Sequence, residues 1–208
     1  YYEAFDKNSK DDVGAARFVE YLQNEWILNM ILKGDYDLNL NMRIEKDEQR
    51  PSLVKGCDFI GVNYYMRNKI RAVDRKMPGI PGFETVPCTE NCTDMGWEIY
   101  PKGLRYELNW AYNLYRRPLM VTENGIGDAK DEKRSDYLLR HLEEIHRATV
   151  EDGVPVKGYF HWSIMDNFEW AKGFKMKFGL YNVNYETKKR TPTRAVPIYK
   201  QIATTNTL

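Results

Sequence analysis

The chain has 208 residues, enough for one domain with a sizeable core. Its 31 Lys and Arg against 30 Asp and Glu leave a formal charge of +1, which excludes the basic or acidic excess that would hold nucleic acid or an anionic membrane surface. No apolar run reaches membrane-spanning length and no signal peptide is visible, so the expectation is a cytoplasmic protein that handles neutral molecules, with no nucleic-acid or membrane partner.

In chain order, residues 11–33 predict one helix, with Phe18, Leu22, Trp26, Ile27 and Met30 at helical spacing and Gly34 as its stop. Residues 57–65 (CDFIGVNYY) predict a buried strand ending in polar residues. Residues 66–100 form a long connection holding a short strand-like piece, Lys69 to Val73, and a Pro/Gly-rich tract, KMPGIPGFETVP. Pro101 opens a helix to about Arg116, because proline suits the first helical position. Pro118 to Val121 is a second strand, and Asp131 to Asp152 a helix whose stripe is Tyr137, Leu138, His141, Leu142, Ile145 and Ala148. Val156 to Trp162 is a third strand, followed by a long loop, a hairpin over 179–190 and a last helix over 192–203.

Helices thus alternate with near-continuous apolar strands, the pattern of a parallel sheet covered on both faces. Asn63 and Tyr65, Glu123 and Asn124, and Trp162 and Ser163 cluster at strand C-terminal ends, where active sites of parallel α/β folds lie. Pattern alone does not separate a barrel from an open sheet. Of the three cysteines, Cys88 and Cys92 lie four apart in VPCTENCTD without the further ligands a metal knuckle needs, which leaves plain thiols or a local disulfide.

DFIGVNYY at 58–65, VTENGI at 121–126 and FHWSIMDNFEWAKGF at 160–174 resemble the family 1 glycoside hydrolases, and GWEIYPKGL at 96–104 and KFGLYNVNYETKKR at 177–190 fit the same family in the same order. The style is nearest to archaeal β-glycosidases. The resemblance implies a (β/α)8 TIM barrel that hydrolyses β-linked glucosides, galactosides or fucosides with retention. It assigns the nucleophile to Glu123 and a hydrogen bond to that nucleophile to Tyr65. Glu169 and Trp170 resemble the pair that reads the sugar hydroxyls, Trp162 a platform under the sugar face, Trp97 and Phe178 aromatic walls, and Asn63 a pocket residue. It also implies a cis Trp162–Ser163 peptide. Relatives acting on 6-phosphorylated sugars carry a small hydroxyl residue where this chain has Glu169 and a lysine where it has Met176, so an unphosphorylated substrate is expected. Two carboxyl groups and water suffice for the reaction, so no cofactor or metal is expected.

A retaining glycosidase needs its two carboxyl groups about 5–5.5 Å apart. The family's acid/base sits in an Asn-Glu-Pro segment, and the one Asn-Glu here, Asn24-Glu25, is followed by Trp inside a predicted helix and reads as a helix-surface Glu. The matched segments belong to strands six to eight, with YYEAF as the tail of strand five. The chain therefore reads as a C-terminal half-barrel whose acid/base comes from a complementary N-terminal half-barrel polypeptide or segment. The alternative is a non-catalytic sugar-binding or scaffold half.

Overall fold

The computed structural model describes residues 1–54, 56–74 and 80–207. In chain order the elements are β1 (Tyr2–Ala4), α1 (Lys10–Glu20), α2 (Trp26–Lys33), β2 (Ile60–Asn63), β3 (Asn68–Ala72), β4 (Phe83–Val86), α3 (Pro101–Tyr115), β5 (Leu119–Asn124), α4 (Arg134–Val150), β6 (Val156–His161), β7 (Tyr181–Val183), β8 (Arg190–Pro192) and α5 (Ala195–Thr205). The chain separates into two compact units, Tyr1–Asp58 with Arg67–Pro87, and Phe59–Met66 with Cys88–Leu208.

In the first unit β3 is the centre of a three-stranded sheet, parallel to β1 and antiparallel to β4. Tyr2–Ala4 extends along β3, with Asn68 N–H bonded to Tyr1 C=O (2.8 Å) and Phe5 N–H to Ile70 C=O (2.8 Å). Ser9 caps α1 by accepting from Asp12 N–H at 3.3 Å. Ala15, Ala16 and Val19 then pack with Ala4 and Ile70.

The single helix predicted over 11–33 is two helices, because Tyr21–Glu25 forms a π-turn between α1 and α2. The inserted turn rotates the downstream face, so Trp26 Nε1 reaches Asp37 C=O at 2.9 Å while the Tyr21 hydroxyl donates to Asp37 Oδ2 at 2.7 Å. Glu25 is not the helix-surface residue expected: it is 6% exposed and takes a 3.0 Å bond from Arg17 Nη2. A buried carboxylate in a turn of this kind needs such a partner. Gly34 closes α2 at φ +74°, as expected of a stop. Of the tract expected over 76–87, Lys76 to Gly79 lie outside the described residues, and Phe83–Val86 forms β4 rather than loop.

The second unit carries a parallel sheet in the order β2-β5-β6. This is the parallel α/β arrangement expected from the apolar runs. Leu119 and Val121 of β5 are fully buried, as are Leu104 and Leu108 of α3 and Leu138 of α4. The α3 and α4 helices pack on each other and on this face. Among the described residues, β2 and β6 each have one strand neighbour. Phe160, which alternates with Tyr159 and His161 along β6 and so lies on the opposite face, is 57% exposed. α4 starts at Arg134 rather than Asp131 because the Asp128 carboxylate caps it there, accepting from Lys133 N–H (2.8 Å) and Arg134 N–H (2.9 Å). The last helix starts at Ala195 because Arg190–Pro192 is taken by β8, the return strand of the predicted hairpin.

Candidate active site

Glu123 stands at the C-terminal end of β5, the middle strand of the parallel sheet. The register with β2 runs Ile60↔Leu119, Gly61↔Met120, Val62↔Val121 and then Asn63↔Glu123. Thr122 is therefore an extra residue, and an extra residue re-aims the side chains that follow it. Its hydroxyl donates to Asn63 Oδ1 at 2.6 Å, and Tyr64 N–H bonds the Glu123 carbonyl at 2.9 Å, so the tips of β2 and β5 are fastened together.

Tyr64 and Tyr65 follow β2 and point to opposite sides, as successive residues of an extended chain do. Tyr64 is 2% exposed, and its hydroxyl donates to the Tyr100 carbonyl at 2.6 Å, at the start of α3. Gly103, in the first turn of that helix, admits it: a Cβ there would fall on the Tyr64 hydroxyl. Tyr65 turns the other way and donates to Glu123 Oε2 at 2.8 Å. Burial first, then this bond and the adjacent negative charge, push the Tyr65 phenol far above its ordinary range. Tyr65 is thus a fixed neutral donor at any working pH.

Around this pair stand two further aromatic rings. Tyr65 lies 5.5 Å from Trp97 and 6.2 Å from Phe178 between ring centroids, and Trp97 and Phe178 are 6.1 Å apart. Trp97 is held by its own loop. Thr93 N–H bonds the Trp97 carbonyl (2.9 Å), the Thr93 hydroxyl accepts from Trp97 N–H (3.2 Å), and Cys88 and Cys92 close a disulfide just before it. Of the two states left open for these cysteines, the structure has the disulfide.

The backbone just before Phe178 is fastened by Arg134, a residue outside every recognisable motif. Arg134 is fully buried, and its guanidinium bonds the carbonyls of Asp128 (2.9 Å) and Lys177 (2.6 Å) and the carboxylate of Asp131 (2.9 Å). Asp166 accepts from Gly179 N–H and Val183 N–H at 3.0 Å each and pairs with Lys177 at 3.3 Å. The loops after β5 and β6 are thereby joined at the aromatic wall.

Glu169 faces the same site. Burial, and then the charge of Glu123, raise its carboxyl above the usual range, while a bond with the Trp162 side chain works in the opposite direction. Trp162 is placed by its N–H on the Asn124 carbonyl at 2.9 Å, and the Trp162–Ser163 peptide is cis. Trp170 stands apart, 84% exposed at φ +40°, and Asn63 is exposed with its amide oxygen occupied by Thr122. Of the residues singled out from sequence, Glu123, Tyr65, Trp97, Phe178, Glu169 and Trp162 come together. Asn63 shares only the strand tip, and Trp170 only the loop.

A partly buried carboxylate with one aligned phenol donor can act as a nucleophile or as a charge stabiliser. Flat aromatic walls and a second acceptor carboxylate suit a polyhydroxylated, uncharged ligand better than an anion. Among the described residues, no group of three or more His, Cys, Asp and Glu side chains is placed to hold a metal ion. Among the described residues no helix is long and apolar enough to cross a membrane.

Comparison with known proteins identifies the family. The family model for glycosyl hydrolase family 1 matches residues 1–208. The chain is 40% identical to a β-galactosidase of Pyrococcus woesei over 97% of its own length and 42% of that protein's. A β-glycosidase structure from Pyrococcus horikoshii aligns at TM-score 0.81 with 39% identity, covering 95% of this chain and 44% of that one. A β-glucosidase from Thermotoga maritima in complex with deoxynojirimycin aligns at TM-score 0.86 with 30% identity, covering all of this chain and 50% of that one. The chain thus spans about half or less of the length of the relatives it matches. It belongs to glycosyl hydrolase family 1.

Proposed function

We propose that this chain is the C-terminal half of a (β/α)8-barrel β-glycosidase that removes terminal β-D-glucosyl, β-D-galactosyl or β-D-fucosyl groups with retention. The observation that carries the reading is the Tyr65 phenol donating to Glu123 at a parallel-strand tip, at 2.8 Å, inside an aromatic wall. In the first step the Glu123 carboxylate attacks the anomeric carbon. The glycosidic C–O bond breaks, and the departing oxygen takes a proton from a general acid. In the second step water attacks the same carbon, the ester bond to Glu123 breaks, and the water's proton returns to that acid/base. Glu169 accepts hydroxyls of the non-reducing sugar, Trp162 underlies its face, and Trp170 and Asn63 join the sugar when it binds.

The general acid comes from a complementary N-terminal half, as a partner polypeptide or as another segment of a longer protein. Two features support this. The β2 and β6 edges each lack a second strand neighbour among the described residues, and the sheet face bearing Phe160 is open. An exposed edge and an exposed apolar face are both liabilities until covered. A carboxylate at position 169 beside Glu123 repels a phosphate group, which favours unphosphorylated sugars.

The test is the anomer first released. This chain, joined with the complementing half, is given a β-glucoside and followed by proton NMR before mutarotation. The β-anomer appears first if the reading holds; release of the α-anomer would overturn it.

A further inference from the structure

Behind the Tyr65–Glu123 pair, on the helix-covered side of the sheet, lies a buried polar chain that the proposed reaction does not use. Its centre is Asn124, 0% exposed and next to Glu123. Asn124 Nδ2 donates to the Tyr64 carbonyl at 2.7 Å and to the Tyr137 hydroxyl at 2.9 Å. A carbonyl can only accept, so the amide nitrogen must face this way. The Tyr137 hydroxyl has then accepted one bond, and its own proton goes to the Tyr65 carbonyl at 3.2 Å. On the far side, the Tyr159 hydroxyl donates to Asn124 Oδ1 at 3.0 Å.

Tyr137 is itself immobilised. It is 0% exposed near the start of α4, where Asp128 caps the helix and Arg134 is bonded on three sides. Its ring stacks on His141 at 3.8 Å, and His141 Nδ1 donates to its carbonyl at 2.7 Å.

We propose that Tyr137 is a positioning residue for the nucleophile: its hydroxyl bridges Asn124 and the Tyr65 backbone, and so fixes how closely the Tyr65 phenol meets Glu123. The bridge runs from the residue beside Glu123 to Tyr65 in two hydrogen bonds. Without it, Tyr65 keeps its ring contacts but loses the anchor on its carbonyl, and the phenol spends less time on the carboxylate. A network of this kind acts as a unit, and a double-mutant cycle is the measurement that isolates it.

The inference rests on Glu123 being the nucleophile, and the test separates the two claims. The completed enzyme is trapped with a fluoroglycoside bearing a dinitrophenolate leaving group, which departs without a general acid. The rate constant of inactivation and the inhibitor affinity are measured for the parent, Tyr137→Phe, Tyr65→Phe and the double variant. Tyr137→Phe is expected to slow inactivation about five-fold, the worth of one neutral hydrogen bond, with affinity within about two-fold. In the Tyr65→Phe background the same change is expected to cost nothing further.

An equal loss in both backgrounds, a loss in affinity alone, or no loss at all would overturn the positioning role, since a merely structural hydroxyl lowers stability and adds independently. If Tyr137→Phe does not fold, Tyr159→Phe, which removes the hydroxyl on the other side of Asn124, takes its place in the cycle and must show the same non-additivity. A parent enzyme that carries no label on Glu123 would overturn the nucleophile reading, and this one with it.

Discussion

The Tyr65 hydroxyl lies 2.8 Å from Glu123 Oε2, and the two residues come from neighbouring parallel strands whose tips are bonded through Tyr64 N–H and the Glu123 carbonyl. The pairing is set by backbone register rather than by side-chain reach. It follows that Tyr65→Phe should leave the fold intact and remove only the donor. Hydrogen bonds to charged groups are worth about 1.5–3 kcal/mol, so kcat should fall about 10- to 100-fold while KM changes little. Steady-state kinetics on the completed enzyme, with the melting temperature as a control, check this.

Gly125 follows the Glu123-Asn124 tip, and a Cβ there would fall on the Trp162 carbonyl oxygen. Neither strand can yield, because Trp162 N–H is bonded to the Asn124 carbonyl at 2.9 Å. Gly125→Ala should therefore destabilise the second unit by about 3 kcal/mol, the upper end for overpacking. The denaturant midpoint measures it; a loss below about 1 kcal/mol would mean that the tip is softer than its hydrogen bonds imply.

Buried histidines make stability depend on pH. Burial pushes His141 down to about 4, against a bond from its ring to the Tyr137 carbonyl that works the other way, and its buried Nε2 has no hydrogen-bond partner among the described residues. Burial pushes His161 down to about 3, helped by the charge of Arg134. In both cases the unfolded chain binds the proton and the folded one does not. Stability is therefore full above the unfolded value near 6.5 and falls as the pH drops toward 4 and then 3. His141 alone accounts for a loss of about 3 kcal/mol across its window. Denaturant midpoints taken from neutral to acid pH should decline over this range, and the slope should flatten in His141→Gln if that variant folds.

Much of the second unit was legible because its signals are local. Apolar runs that end in polar residues mark parallel strands, and the strand-end polar residues Tyr65 and Glu123 do meet. The first unit was less legible. The Tyr21–Glu25 π-turn preserves the helical spacing of apolar residues on either side, so periodicity alone reads through it. The β1–β3 pairing joins segments more than sixty residues apart, for which a short strand carries no signature. Within the site, the roles of Arg134, Asp166 and Tyr137 were not legible for a related reason. Tyr137 sits in an apolar stripe with Leu138 and His141, and only the fold reveals that its hydroxyl is bonded to Asn124 and Tyr65 rather than idle. An aromatic residue and a histidine one helical turn apart in a stripe facing a strand tip is the one hint the sequence held.

The central claim is that Glu123 is the nucleophile, and its most direct test is to identify the labelled residue. The completed enzyme is incubated with the activated fluoroglycoside, digested, and the sugar-bearing peptide sequenced by mass spectrometry. One sugar per chain on Glu123, absent from Glu123→Gln, is the predicted result. A sugar ester on any other carboxylate, or turnover undiminished in Glu123→Gln, would contradict the account.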